Sequence, residues 1–223
     1  MFARLNTSRN RSFLLEILMI VVGINIALWF EGWFEDLKDA ETEQQYLAGL
    51  RDDLLDDVRL LDDVIASNSA KMQRLEEIIA NLSGLRSADA EQQLAAMFVP
   101  SSYYFFEPAD FTYRSMQESG DFRLLSDAET KKRLLQLVRK YRLIGTLQDN
   151  FMQALDDGYI PLLMSSADLA EQRMSDPGVF DDPLFRNFFA FTYQDTEMRV
   201  AAYGSARDMA RELVTVIEEQ IRD

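Results

Sequence analysis

The stretch FLLEILMIVVGINIALWF, residues Phe13–Phe30, decides how the chain is built. Every residue in it is apolar or small except Glu16 and Asn25. As an α-helix it rises about 27 Å, which is close to the roughly 30 Å hydrocarbon core of a bilayer. Four aromatic residues at its far end are typical of an interfacial belt: Trp29, Phe30, Trp33 and Phe34. The sequence therefore predicts a transmembrane helix over residues 13–34.

The charges on the two sides of this stretch predict its orientation. Arg4, Arg9 and Arg11 precede it, whereas the residues that follow are mainly acidic. Because positive residues stay on the cytoplasmic side, we expect residues 1–12 to be a cytoplasmic tail and residues 35–223 to be an extracytoplasmic domain. A cleaved signal peptide is the alternative, but the exit sequence EGWFEDLKD contains no small-residue cleavage site. The sequence favours a single-pass protein of a bacterial inner membrane with a periplasmic main domain.

Polar and small residues inside the predicted span indicate contacts within the membrane. Spacings of four, three and four residues place four of them on one helix face: Glu16, Ile20, Gly23 and Ala27. Gly23 and Ala27 form a small-xxx-small pair that lets two helix backbones approach, and Asn25 lies on roughly the opposite side. Beside the lipid bilayer, we therefore expect copies of the chain or another membrane protein as partners. The alternative is that Glu16 reaches the headgroup region from one turn inside the edge.

The composition excludes several classes of function. The chain has 223 residues, no cysteine and no histidine. Zinc sites of the usual kind, thiol nucleophiles and Ser-His-Asp triads are therefore excluded. The formal net charge of -15 argues against nucleic acid as a partner, because phosphate binding needs a basic surface. No motif indicates a metal or a cofactor, and we expect that the protein is not an enzyme.

Beyond the span the sequence predicts an all-α fold, an elongated helical bundle on one transmembrane helix. No proline occurs over residues 35–82, and we expect this helix to continue from the span. Its residues form a heptad seam with one polar insertion: Val58, Leu61, Ile65, Asn68, Met72, Leu75, Ile79 and Leu82. The seam favours packing within the chain's own bundle over a coiled coil between chains. Six aspartates on this helix favour a solvated face over a metal site: Asp52, Asp53, Asp56, Asp57, Asp62 and Asp63.

Capping and breaking residues predict the remaining helices. The expected caps are Ser87, Asp110, Ser126 and Asp182. The expected ends or interruptions are Pro100, Gly120, Gly158 and Pro161. The last helix covers residues 183–222, and its predicted apolar line is Met198, Ala202, Ala206, Met209, Leu213, Val216 and Ile221. No strand alternation is present.

An aromatic stretch is the candidate binding surface outside the membrane. SSYYFFEP, residues 101–108, has no helical period. It predicts an extended segment packed on the bundle, with a ligand or partner surface as the alternative. The residues of that surface are Tyr103, Tyr104, Phe105, Phe106, Tyr113 and Arg114.

The span and its exit resemble an uncharacterised family of bacterial single-span membrane proteins. The matching residues are Glu16-Ile17, Val21-Val22-Gly23-Ile24, Ile26-Ala27-Leu28, Trp33, Tyr46-Leu47 and Leu50 to Leu54. The segment from Ser119 to Leu125 is similar to a segment that this family has before a helix. Glu31-Gly32 stands where the family has two asparagines. The resemblance implies one span followed by a helical extracytoplasmic domain, and it implies no known activity.

Three functions remain open. The first is a structural or interaction protein, either a scaffold or an accessory subunit of an inner-membrane assembly, and the polar faces of the span favour it. The second is a periplasmic small-molecule sensor that acts through a partner and uses the aromatic stretch as its pocket. The third is a homo-oligomeric ion pathway that uses Glu16 and Asn25.

Overall fold

One helix forms the first third of the molecule. The structure, a computed structural model, describes residues 7–222 and the side chains of residues 16–221. The helix α1 covers Thr7–Ala80 without interruption and is about 110 Å long, so the helix after the predicted span does continue from it. The side chains of the predicted tail, residues 1–12, lie outside the described part.

The rest of the described chain is helical apart from one short hairpin. The helices after α1 are α2 (Leu82–Leu85), α3 (Ala90–Ser101), α4 (Phe111–Ser119), α5 (Ala128–Ala154), α6 (Ile160–Ser166) and α7 (Pro183–Arg222). Short 3-10 helices cover Asp121–Leu124 and Pro177–Asp181, and a π-helical turn covers Leu155–Tyr159. Strand β1 (Ala167–Asp168) pairs antiparallel with β2 (Arg173–Met174). The all-α prediction is confirmed, although the sequence analysis missed this hairpin.

Three long segments form the bundle: the second part of α1, α5 and α7. Near the predicted span, Leu50 of α1 and Leu213 of α7 share one apolar cluster. At the far end, Leu75 of α1 and Phe189 of α7 share another, so α7 runs antiparallel to α1. A third cluster lies between the two around Leu61. The heptad seam is therefore covered within the chain, as expected.

The face of α1 that packs is turned by about one residue from the predicted seam. The buried residues there are Val64, Asn68, Lys71 and Leu75. Ile65 and Met72, which the seam contained, are only half-buried. In α7 the predicted Met198 is exposed, whereas its neighbour Arg199 is buried. At Lys71 and Arg199 the difference has one cause, because a seam chosen for apolar residues passes over two cations that have polar partners inside the bundle.

Local chemistry sets the ends of two helices as predicted. The Leu184 N–H donates to Asp182 Oδ1 over 2.7 Å, and α7 begins at Pro183. The helix α4 ends at Gly120, whose φ of 78° is in the left-handed region that glycine adopts without strain.

Two predicted caps are wrong by one or two residues. Asp89, not Ser87, caps α3 by accepting from the Gln92 N–H. Asp127, not Ser126, caps α5 by accepting from the Thr130 N–H. In both places a carboxylate is chosen over a hydroxyl, and the positive end of the helix dipole favours that charge.

Pro100 and Pro161 do not end a helix where the sequence predicts it. Pro100 lies inside the last turn of α3. Before Pro161, the π-helical turn makes the Ile160 N–H donate to the carbonyl of Leu155, five residues back. The chain therefore passes through Gly158 and on into α6 without leaving a helical path.

An extended segment, which we call the strap (residues 102–110), joins α3 to α4 and lies against α1 and α5. Its backbone carbonyls accept from Lys71 of α1 at Ser102 (2.6 Å) and from Asn68 of α1 at Tyr104 (2.9 Å). Gln148 of α5 holds the strap from the other side by bonding both the N–H and the carbonyl of Phe106, at 3.0 and 3.1 Å. The prediction of an extended segment packed on the bundle is confirmed.

Candidate functional site

The predicted span is the exposed part of α1. Every side chain from Glu16 to Lys38 is exposed, and an apolar window in this region has a mean hydropathy of 1.9. By length and composition, α1 is the one helix among the described residues that is able to cross a membrane. A soluble monomer rarely exposes so large a contiguous apolar surface. The orientation of the span and the kind of membrane stay predictions.

The predicted packing face of the span is open along its length. Its residues are all exposed: Glu16, Ile20, Gly23 and Ala27. A Cβ atom added at Gly23 would meet nothing within 4 Å, so a neighbouring backbone has room there. Asn25 differs, because its Nδ2 donates to the Val21 carbonyl over 2.7 Å within the same helix. That bond satisfies one amide donor within the helix, so Asn25 needs a partner helix less than its polarity predicts. An ion pathway through Glu16 and Asn25 stays a prediction.

The four predicted interface residues form one aromatic ridge. The rings of Trp29 and Trp33 stack with centroids 6.4 Å apart. Phe30 meets the edge of Trp29 at 5.3 Å, and Phe34 tilts against Trp33 at 5.5 Å. The ridge has the composition of a headgroup belt, and its position at an interface stays a prediction.

The predicted aromatic surface outside the membrane is not one surface. Phe106 is 2 % exposed and belongs to the apolar cluster around Leu61. Phe105 is half-buried and packs against the apolar cluster at the far end of the bundle. Tyr103 and Tyr104 are exposed on the strap. Tyr113 lines a separate groove of about 290 Å³. The structure does not bring these residues to one groove, because Tyr104 lines a different groove from Tyr113 and Phe106 is buried. A ligand or partner surface at the exposed members stays a prediction.

Arg114 lines the same groove as Tyr113, and its guanidinium already has a partner. Its Nη2 donates to both carboxylate oxygens of Asp110, at 2.7 and 2.9 Å. The pKa of the Arg114 guanidinium is raised above its ordinary value mainly by this hydrogen bond. This cation therefore already has a carboxylate partner within the chain.

Two buried cations lie on one aromatic ring inside the bundle, in the apolar cluster at its far end. Lys71 Nζ is 4.8 Å from the ring centroid of Phe151, and the Arg199 guanidinium is 4.4 Å from the same centroid. Arg199 is fully buried and Lys71 is 4 % exposed. Asp195 accepts from Arg199 Nε over 2.7 Å and is the carboxylate that pairs with this cation. We call these four residues the charged layer, and it carries two cations for one carboxylate.

The Lys71 ammonium bonds to the backbone rather than to an acid. It donates to the carbonyls of Pro100 (3.1 Å) and Ser102 (2.6 Å). Its pKa is lowered to about 7, mainly by burial and in addition by repulsion from Arg199, while Asp195 opposes the shift. Lys71 therefore changes its charge near neutral pH.

Polar atoms around the charged layer are incompletely paired. Among the described residues, four buried side-chain atoms have no hydrogen-bond partner in the protein, and one of them, Tyr141 Oη, lies outside this region. The other three belong to the layer or to residues one helical turn from it: Asn68 Oδ1, Thr192 Oγ1 and Arg199 Nη1. Buried polar groups are nearly always paired, so this concentration marks the layer as the least satisfied part of the interior.

The aspartates of α1 are not one solvated face. Asp57 is 2 % exposed and accepts from the Ala109 N–H over 2.7 Å, while Asp53 accepts from the Thr112 N–H over 2.8 Å. Burial raises the pKa of Asp57 to about 6. Asp62 pairs with two arginines of α7. The predicted solvated face is wrong at Asp57, whereas Asp62 pairs at the surface and Asp53 is half-buried. Among the described residues, no group of three or more acidic side chains is arranged to hold a metal ion.

Sequence reasoning missed the charged layer, although a signal for it exists. The buried residues of α7 follow an unbroken spacing of four and three: Thr192, Thr196, Arg199, Tyr203, Ala206, Ala210, Leu213 and Ile217. This line crosses polar and charged residues, so a search for apolar periodicity passes over its first half. A search for any residue type that keeps the spacing would have found Arg199.

Comparison with other proteins gives a family and no function. None of the curated proteins and none of the solved structures matches the chain. Residues 16–156, well over half of the chain, match a family of unknown function, and the match includes most of the predicted span, the strap and the first residues of the π-helical turn. The expectation of an uncharacterised family is confirmed to that extent. The chain belongs to the family of unknown function DUF6090.

Proposed function

We propose that the chain is a membrane-anchored interaction protein, a scaffold or an accessory subunit of an inner-membrane assembly. In this proposal residues 13–34 span the bilayer and pack against copies of the chain or against another membrane protein. The main domain lies on the periplasmic side. The observation that carries the proposal is the continuous exposure of α1 from Glu16 to Lys38.

The division of α1 into two parts supports this proposal. Its second part is covered by α7, α5 and the strap, so its seam is occupied within the chain. Its first part has an open small-residue face at Gly23 and no covering element among the described residues. A partner inside the bilayer would therefore meet the span rather than the bundle seam.

The continuity of α1 gives the anchor a mechanical role. A helix without a break between span and bundle fixes the direction in which the domain leaves the membrane. The domain extends about 70 Å along α1 beyond the predicted span. A rigid projection of this kind suits a scaffold that presents its side surface at a set distance from the bilayer.

The test is the mass of the particle extracted gently from its membrane, with every co-purifying protein identified. We expect an assembly larger than one chain, and we expect Gly23→Leu to reduce it because a large side chain keeps backbones apart. Val21→Leu is the control, since it places a leucine at a nearby position on roughly the opposite side of the helix, where a side chain is already present. A wild-type particle of one chain alone, or equal effects of the two variants, would contradict the proposal.

A further inference from the structure

A groove on the surface of the bundle opens directly above the charged layer. It has a volume of about 480 Å³ and lies between α1, the second half of α3 and the start of the strap. Lys71 and Arg74 of α1 line it, together with Phe98 of α3 and Tyr104 of the strap. A groove of this size is within the range of small-molecule sites.

The charges of the groove are opposite to those of the chain as a whole. The formal net charge of the chain is -15, yet no aspartate or glutamate among the described residues lines the groove. Arg74 forms no ion pair with any described residue, whereas Arg114, in the groove lined by Tyr113, pairs with Asp110. Lys71 lies on the floor, and below it Asp195 already pairs with Arg199. An anion is the group that this arrangement lacks.

The donors of the two cations are partly free. An ammonium has three N–H donors, and Lys71 uses two of them on the carbonyls of Pro100 and Ser102. The Arg74 guanidinium offers a planar fork that suits a carboxylate or a phosphate. The walls are apolar and exposed: Phe98 is 45 % and Tyr104 is 43 % exposed. These rings would cover the body of a ligand whose charged end meets the two cations.

We propose that this groove binds a small organic anion, with its carboxylate or phosphate between Lys71 and Arg74 and its apolar body on Phe98 and Tyr104. The site does not depend on the proposed function of the span. A bound anion favours the protonated form of Lys71, which burial otherwise disfavours. Binding at pH 8 therefore takes up protons, and the strap, whose carbonyl at Ser102 is held by Lys71, is the part of the fold that senses occupancy.

The experiment uses the full chain in lipid nanodiscs and isothermal titration with phenylacetate. Neutral phenylacetamide controls for partition into lipid, and inorganic phosphate separates an organic anion from a simple one. We expect saturable binding of phenylacetate, none of phenylacetamide, and weaker binding of phosphate. At pH 8 we expect a heat that changes with the ionisation enthalpy of the buffer, because protons are taken up.

Two variants decide whether the groove is the site. Arg74→Gln removes an exposed cation without a described partner, so the fold is kept, and we expect about a tenfold loss of affinity. Arg139→Gln removes an exposed arginine of α5 outside the groove and is expected to bind like the wild type. The proposal is overturned if phenylacetate shows no saturable binding up to about 10 mM, well beyond typical site affinities. Equal binding of phenylacetamide, or unchanged affinity in Arg74→Gln, would overturn it as well.

Discussion

The two parts of α1 relate polarity to burial in opposite ways. From Glu16 to Lys38 the helix exposes its apolar side chains, whereas beyond Leu47 it buries Asp57, Asn68 and Lys71. The helix is continuous, so the difference comes from what lies against each part. The second part meets backbone carbonyl and N–H groups of the strap and the end of α3, and these groups compensate its buried polar side chains. The first part meets no described residue, and a bilayer is the medium that suits its composition.

The largest effect in the buried part is expected from removing the acid of the charged layer. Asp195→Ala leaves Arg199 fully buried without its carboxylate, and we expect a loss of about 3–5 kcal/mol in the free energy of unfolding. Asp208→Ala is the control, because this aspartate of the same helix pairs with Arg207 at the surface and contributes about 0–1 kcal/mol. Denaturant unfolding of the detergent-solubilised chain measures both. Similar losses in the two variants would show that burial does not distinguish the pairs.

A smaller effect is expected from pH, and its direction identifies Lys71. Its pKa is lowered from 10.5 to about 7 in the fold, so its contribution to stability is present above pH 10.5 and is lost as pH falls through 7. The free energy of unfolding should therefore rise between about pH 7 and pH 9.5, by an amount on the order of 2–3 kcal/mol. The increase should be absent in Lys71→Met. A rise of the same size in that variant would assign the titration to another group.

How far the sequence determines the fold differs between these two parts. The span, the continuation of α1, the helix α4 and the start of α7 follow from local signals: an apolar run, the absence of proline, Gly120 and Pro183. The caps of α3 and α5 were missed because several residues near each start are able to cap, and the rest of the fold selects one. Local propensity does not predict which of several neighbouring residues forms the N-cap.

The charged layer was not predictable for a different reason. A charged side chain in a helix is normally solvated, and only a partner on another element reverses that preference. The partners of Lys71 are carbonyls near the end of α3, and Arg199 also depends on the ring of Phe151 from α5. Neither contact leaves a trace in the local sequence. The same is true of Asp57, whose partner is a backbone N–H of the strap.

In the proposed topology, one continuous helix crosses a membrane and then enters the bundle. Cysteine labelling measures this topology directly. Because the sequence contains no cysteine, single-cysteine variants need no background mutations. The variants Ser8→Cys, Ile24→Cys and Asp39→Cys are treated in spheroplasts with a membrane-impermeant maleimide. We predict labelling of Asp39→Cys in intact spheroplasts, of Ser8→Cys only after lysis, and of Ile24→Cys in neither. Labelling of Ile24→Cys, or of Ser8→Cys before lysis, would contradict the proposed topology of α1.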